Sequence, residues 1–278
     1  MSLLLALILQ VGPFTSAQER PVSPVPAELR ERNLRESAAD APLDPAARLR
    51  GCLNAAEASP AAALVDARAW LAASSGADRA LAQSCIGAAS VALDLWADGE
   101  AAFLAARDTP GLPGAERAGY GAMAANAALA AGAHQRALAL LDLARTDAEG
   151  SNPLIAGIDR DRARALVALQ RAGEAAGALD AARRADPQNA EGFLLSATLA
   201  RRQGDLAAAQ GFIETAAAID PADPAIGLEA GVIAVLAGRH AAARKSWESV
   251  IATSPDSAEA QTARGYLAQL APAVTTAP

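Results

Sequence analysis

Residues 186–221 read DPQNAEGFLLSATLARRQGDLAAAQGFIETAAAIDP, and residues 220–255 repeat this layout as DPADPAIGLEAGVIAVLAGRHAAARKSWESVIATSP. In each segment a glycine, Gly204 or Gly238, lies near the middle and at the same distance before the final proline. The glycine separates two stretches with the hydrophobic spacing of amphipathic helices. Glycine favours the turn between two helices and proline cannot continue a helix, so each segment predicts a helical hairpin.

The period extends beyond these two segments, because Pro153, Pro187, Pro221 and Pro255 follow one another at equal intervals. A fixed period of about this length predicts an array of helical repeats. The composition agrees, since 79 of the 278 residues are alanine, the best helix former, and only 3% are aromatic. These values exclude a β-sandwich or β-barrel, and 52% hydrophobic residues exclude a disordered chain.

The two segments resemble the tetratricopeptide repeat (TPR) family. The resemblance rests on the turns, on a small residue five positions after each glycine and on a bulky residue four positions further on. These are Gly204-Asp205-Leu206 with Ala209 and Ile213, and Gly238-Arg239-His240 with Ala243 and Trp247. It implies an all-α protein, a right-handed α-solenoid of about six helical hairpins over residues 45–270. Residues 153–255 match the family best, and residues 257–270 are expected to form a capping helix.

The repeats upstream depart further from the pattern. Gly132 predicts another turn, with Ala137 and Leu141 in the small and bulky positions. In the unit that starts at Pro153 the predicted turn is Gly173, which lengthens the first helix and shortens the second. Two further turns are predicted at Ser59-Pro60 and Asp98-Gly99, with helices over 46–58, 60–74, 77–97 and 100–108.

Outside the array, residues 3–11 form an apolar run, followed by small residues at Thr15-Ser16-Ala17. This pattern predicts a signal peptide over residues 1–17, cleaved after Ala17. The run is too short to span a bilayer, so no stable membrane insertion is expected after cleavage. The sequence thus favours a bacterial protein exported to the periplasm or secreted. Residues 18–44 are predicted as a linker rich in proline and charge, and residues 271–278 as a disordered tail.

Export to an oxidising compartment makes Cys52 and Cys85 candidates for a disulfide. Their separation in sequence is close to one repeat, which places them on the first helices of neighbouring hairpins. Measured from the predicted turns, however, Cys85 lies twice as far before Gly99 as Cys52 lies before Ser59. That difference corresponds to an offset of about 10 Å along the helices. Two buried free thiols therefore stay an alternative.

Few residues are suited to catalysis. His134 and His240 each lie two positions after a turn glycine, which indicates a packing role rather than a base or metal ligand. Asp159 and Asp161 are two residues apart, face different sides of a helix and are expected to cap or solvate it. We predict no catalytic residue, no metal and no cofactor. Nucleic acid is a poor fit as a partner and none is predicted, because binding phosphates needs clustered positive charge and here 31 acidic residues outnumber 24 basic ones.

In the family the first helices of successive hairpins line a concave groove that holds a peptide or helix of another protein. By the family register, the candidate groove residues here form a basic set beside an apolar set. They are Asn126, Arg160, Arg164, Arg171, Thr198, Arg201 and Arg202, followed by Leu228, Val232, Val235 and Leu236. Such a surface fits a partner protein with acidic and hydrophobic residues. Arginines at helix ends also interact with the helix dipole, so a purely structural role is the alternative.

Two function classes follow from this architecture. The first is a non-enzymatic periplasmic scaffold or adaptor that binds another protein in the groove. The second is a self-associating structural module of the cell envelope, in which exposed apolar positions pair two copies. The two differ in whether the purified protein is a monomer or a larger species.

Overall fold

A computed structural model describes residues 44–270, which form thirteen α-helices and no strand. The helices are α1 Pro45–Ala58, α2 Pro60–Ala73, α3 Ala77–Ala92, α4 Trp96–Arg107, α5 Gly114–Ala130, α6 His134–Asp147, α7 Asn152–Ala168, α8 Ala172–Ala185, α9 Ala190–Arg202, α10 Leu206–Ile219, α11 Pro224–Leu236, α12 His240–Thr253 and α13 Ala258–Leu270. The predicted signal peptide, all of the predicted linker except Asp44, and the predicted tail lie outside the described residues.

The helices pack as successive hairpins: α1 with α2, α3 with α4, and so on to α11 with α12. Each hairpin also packs against the next, and α13 covers part of the last one through contacts with both α11 and α12. The core consists of hydrophobic clusters that follow one another along the array. The described residues therefore form an all-α solenoid of six hairpins with a C-terminal capping helix.

Five hairpins turn at a residue with positive φ, and in two of them this residue is not glycine. The turn residues are Asp94, Gly132, Gln170, Gly204 and Gly238, with φ between 59° and 84°. The predicted turns at Asp98-Gly99 and at Gly173 are therefore wrong, since Gly99 lies inside α4 and Gly173 inside α8. Asp94 and Gln170 adopt the left-handed conformation that normally favours glycine, which is why the sequence pattern missed them.

With the turns placed correctly, all five hairpins share one register. The residue five positions after the turn is small and buried, and the residue nine positions after it is large and buried. The small residues are Gly99, Ala137, Ala175, Ala209 and Ala243, and the large ones are Phe103, Leu141, Leu179, Ile213 and Trp247. Gly99 thus has a packing role, because a Cβ atom there would lie 2.7 Å from Cγ2 of Val91.

Pro153 does not close a hairpin as Pro187, Pro221 and Pro255 do. It lies in the first turn of α7, a position where proline is tolerated because its missing N–H has no helical partner to lose. The turns before Gln170 are spaced more widely than the turns after it, which keep the period of the prolines. The α7 helix has 17 residues, as predicted for a long first helix, but α8 has 14 residues, like α10 and α12, and is not shortened.

Cys52 on α1 and Cys85 on α3 form a disulfide, with their Cα atoms 6.1 Å apart. The expected offset of about 10 Å is absent, because α3 ends at Ala92 instead of residue 97. Cys52 lies six residues before the end of α1, and Cys85 lies seven residues before the end of α3. The two parallel first helices therefore present their thiols at nearly the same level.

Candidate protein-binding face

The first helices α5, α7, α9 and α11 present equivalent positions along one side of the array, which we call the first-helix face. Six residues before each turn residue, this face carries Asn126, Arg164, Thr198 and Val232 in succession. The face therefore changes from polar in the earlier repeats to apolar in the last one.

A network of ion pairs and hydrogen bonds joins the polar part of this face. The amide of Asn126 donates to Asp161 Oδ2 at 3.1 Å, which links α5 to α7. The guanidinium of Arg164 pairs with Asp161 and with Glu191 of α9, and Arg160 pairs with Glu191 at 2.9 Å. One step further along the array, Arg201 Nε donates to Glu229 Oε1 of α11 at 2.6 Å. The predicted basic set is thus largely neutralised by carboxylates of neighbouring first helices.

Arg171 is separate from this network. It lies in the turn between α7 and α8, and its guanidinium donates two hydrogen bonds of 2.6 Å to the Glu174 carboxylate. These hydrogen bonds raise the pKa of Arg171 and lower the pKa of Glu174. Both groups are exposed, so the pair organises the start of α8 without contributing much to stability.

An open pocket of about 220 Å³ lies on the first-helix face between α7 and α9. Its lining is mainly aliphatic, and two arginines stand at its edge. The lining residues are Ala163, Arg164, Val167, Leu179, Leu195, Thr198, Leu199 and Arg202. We call this the α7–α9 pocket. Three of the predicted groove residues, Arg164, Thr198 and Arg202, meet here.

Arg202 differs from the other arginines of this face. It is the last residue of α9, its side chain is exposed, and it forms no ion pair within residues 44–270. Arg160, Arg164 and Arg201 pair with three carboxylates, those of Asp161, Glu191 and Glu229, which leaves the charge of Arg202 without a carboxylate partner among the described residues. This local excess contrasts with the net charge of −7 of the whole chain.

The predicted apolar set lies at a second pocket, of about 250 Å³, between α11, α12 and α13. Val232, Val235 and Leu236 line it together with Trp247, Tyr266, Gln269 and Leu270. Leu228 does not line it; this residue packs partly buried against α12 and α13, and its carbonyl oxygen accepts a hydrogen bond of 3.1 Å from Trp247 Nε1. The capping helix therefore leaves part of the last hairpin open, with Leu236 54% exposed.

The sequence did not predict the carboxylates that pair with the arginines of this face, nor the aliphatic residues that line the α7–α9 pocket. Asp161, Glu191 and Glu229 neutralise the arginines, whereas Val167 and Leu195 supply apolar surface to the α7–α9 pocket. Counted from the turns, three of these residues, Asp161, Leu195 and Glu229, occupy one equivalent position of three successive repeats, so the register could have indicated them.

Two histidines lie away from this face. His134 and His240 are the first residues of α6 and α12, next to their turns; His134 is half-buried, whereas His240 is exposed, so the predicted packing role does not apply to His240. Arg183 lies with its guanidinium carbon 4.5 Å from the ring centre of Phe212, and burial lowers its pKa. Residues 44–270 contain no cluster of three or more side chains that could hold a metal ion. None of their helices is long and apolar enough to cross a membrane.

Solved structures with the same architecture include TPR proteins and a type IV pilus biogenesis factor. The chain aligns with PilW, a widely conserved type IV pilus biogenesis factor, at a TM-score of 0.64 and 17% identity, over 80% of this chain and 99% of PilW. PilF of Pseudomonas aeruginosa aligns at 0.61 and 14% identity, over 80% and 97%. TTC0263, a TPR protein of Thermus thermophilus, aligns at 0.54 and 19% identity, over 69% and 98%.

No protein-family model and no curated protein sequence matches the chain. The fold is nevertheless clear from the structural likeness: residues 44–270 form a tetratricopeptide-repeat solenoid. At these identities the likeness defines the fold, and the function has to be argued from the first-helix face itself.

Proposed function

We propose that this chain is a non-enzymatic scaffold that binds another protein on its first-helix face. The observation that carries the proposal is the open α7–α9 pocket, in which half-buried aliphatic side chains of two successive repeats, Val167 and Leu195, lie beside exposed arginines. A pocket of this size suits one or two side chains of a bound segment better than a whole small-molecule substrate. The resemblance to the TPR family also implies a protein partner.

The exposed apolar residues favour this scaffold over a self-associating module. Among the large exposed apolar side chains, Leu53 on α1, Val65 on α2 and Leu143 on α6 lie on different elements, whereas Leu236 adjoins the apolar pocket of about 250 Å³ between α11, α12 and α13. Isolated residues of this kind are ordinary on monomer surfaces, whereas a stable interface between copies needs a contiguous apolar patch. We therefore expect the purified chain to scatter light as a monomer.

We also propose that the scaffold works in the periplasm, where its disulfide would persist. The apolar run over residues 3–11 and the pairing of Cys52 with Cys85 support this location. The mass of the protein recovered from the periplasmic fraction provides the test. A chain that starts at Gln18 supports export, and a chain that keeps residues 1–17 and fractionates with the cytoplasm contradicts it.

Site-specific photocrosslinking in the producing cell tests the binding face. A photoreactive side chain at Thr198 samples the α7–α9 pocket, and the same side chain at Thr215 on α10 is the matched control, because Thr215 is an exposed threonine outside the first helices. Discrete crosslinks to another protein at Thr198 but not at Thr215 support the proposal. Equal crosslinking at both sites, or crosslinks only between copies of this chain, contradicts it.

A further inference from the structure

We propose that the α7–α9 pocket binds a protein segment in which a carboxylate side chain lies next to an aliphatic one, and that Arg202 selects the carboxylate. This inference rests on the proposed function and specifies the partner's chemistry. Arg202 is a specificity-determining residue in this view, because it would contact the bound segment directly at the pocket edge.

Most arginines near the pocket already have carboxylate partners within the fold. Arg160 and Arg164 together face Asp161 and Glu191, and Arg201 faces Glu229. A ligand carboxylate at any of these three guanidiniums would have to compete with a carboxylate that the fold already holds in place. Arg202 has no such competitor within the described helices, so a ligand carboxylate can form a charge-assisted hydrogen bond there without displacing another carboxylate.

The lining and size of the pocket indicate that an aliphatic side chain lies next to the ligand carboxylate. Apart from Arg164, Thr198 and Arg202, the lining is aliphatic and comprises Ala163, Val167, Leu179, Leu195 and Leu199. An aliphatic side chain that enters this space removes apolar surface from water on both sides of the contact. The carboxylate and the aliphatic side chain must be close together in the segment, because Arg202 and these residues line one pocket of about 220 Å³.

Selection from a random peptide library displayed on phage tests the inference on the full chain. The library is selected on the wild type and counter-selected on Thr198→Phe, which fills the pocket from a half-buried position. Peptides that bind the wild type and not this variant are pocket peptides. We expect them to combine Asp or Glu with a neighbouring Leu, Ile, Val or Met.

A double-mutant cycle then assigns the carboxylate to Arg202. Replacing the peptide's Asp by Asn should weaken binding to the wild type about five-fold, as for a partly exposed ion pair, and binding to Arg202→Gln less than about two-fold. The control is Arg244→Gln, an exposed arginine on α12 without an ion pair within residues 44–270, which should retain the five-fold effect.

The outcomes separate the two proposals. Pocket peptides without an acidic preference, or a five-fold effect that persists in Arg202→Gln, overturn this inference and leave the scaffold function standing. If no peptide distinguishes the wild type from Thr198→Phe, both the inference and the proposed binding face are overturned. Fluorescence anisotropy with the labelled peptides gives the affinities, and circular dichroism verifies that each variant keeps its helices.

Discussion

Trp247 packs its indole ring directly onto the backbone of Gly231, so that a Cβ atom at this glycine would overlap the ring. The same indole donates its hydrogen bond to the Leu228 carbonyl oxygen, which fixes the ring against α11. Gly227, one turn earlier, leaves room for Val250 in the same way. The close approach of α11 and α12 therefore depends on two glycines of α11, which leave room for Trp247 and Val250 of α12.

We expect Gly231→Ala to destabilise the protein by about 1–3 kcal/mol, because the added methyl group overpacks a buried contact. The matched control is Gly265→Ala in α13, where no atom lies within 4 Å of the added Cβ. That change should stabilise the protein by about 0.5–1 kcal/mol through helix propensity alone. Urea unfolding followed by circular dichroism measures both, and a Gly231→Ala variant as stable as Gly265→Ala would contradict the packing argument.

The turn at Gln170 offers a second test, because this residue has a φ of 60°. Gln170→Gly should stabilise the protein by about 0.5–1 kcal/mol, since glycine adopts this conformation without the steric cost that other residues carry. The reverse change at the equivalent turn, Gly204→Gln, should destabilise by a similar amount. Shifts of the urea midpoint in the same direction for both variants would show that turn conformation does not govern stability here.

The sequence predicts the hairpins well wherever a glycine marks the turn. From Gly132, Gly204 and Gly238 it yields the small and buried residues Ala137, Ala209 and Ala243. It fails at Asp94, because a non-glycine residue in the left-handed conformation has no strong sequence signal. In that repeat the conspicuous glycine, Gly99, serves helix packing instead.

The positions of residues on the candidate binding face could be predicted from the sequence, but their ion pairs could not. The register identified Arg164, Thr198 and Arg202, which do line one pocket. Which charges are free could not be read from the chain, because the pairing of Arg164 with Glu191 joins side chains of two different repeats. Charge on a solenoid surface is set by contacts between repeats, and a single repeat's sequence does not contain them.

The disulfide between Cys52 and Cys85 should stabilise the first two hairpins. Closing a loop over a sequence separation of 33 residues restricts the unfolded chain enough to contribute about 3–4 kcal/mol. We expect Cys52→Ser/Cys85→Ser to lower the urea midpoint, and the same change should follow addition of a reductant to the wild type. Mass spectrometry after alkylation without reduction checks the bond itself, and two alkylated thiols in protein from the periplasm would rule it out.

Asp159 tests how far buried charge holds neighbouring hairpins together. The sequence suggested a capping or solvated residue, but its side chain is fully buried between α6 and α7. Arg145 Nε donates to Asp159 Oδ1 at 2.9 Å, and Arg162 Nη1 donates to the same oxygen at 3.0 Å. Arg162 also donates to Asp142 of α6. Burial alone would lower the pKa of Arg162, but the hydrogen bonds to both aspartates outweigh this effect and raise it.

We expect Asp159→Ala to destabilise the protein by about 1–3 kcal/mol, because two guanidiniums lose a buried partner and a cavity forms between the hairpins. Both arginines keep some contact with water, which holds the cost below that of a fully buried pair. Asp142→Ala is the matched control: it removes an exposed partner of the same arginine and should cost less than about 1 kcal/mol. Urea unfolding compares the two, and equal midpoints would mean that the buried carboxylate contributes no more than a surface one.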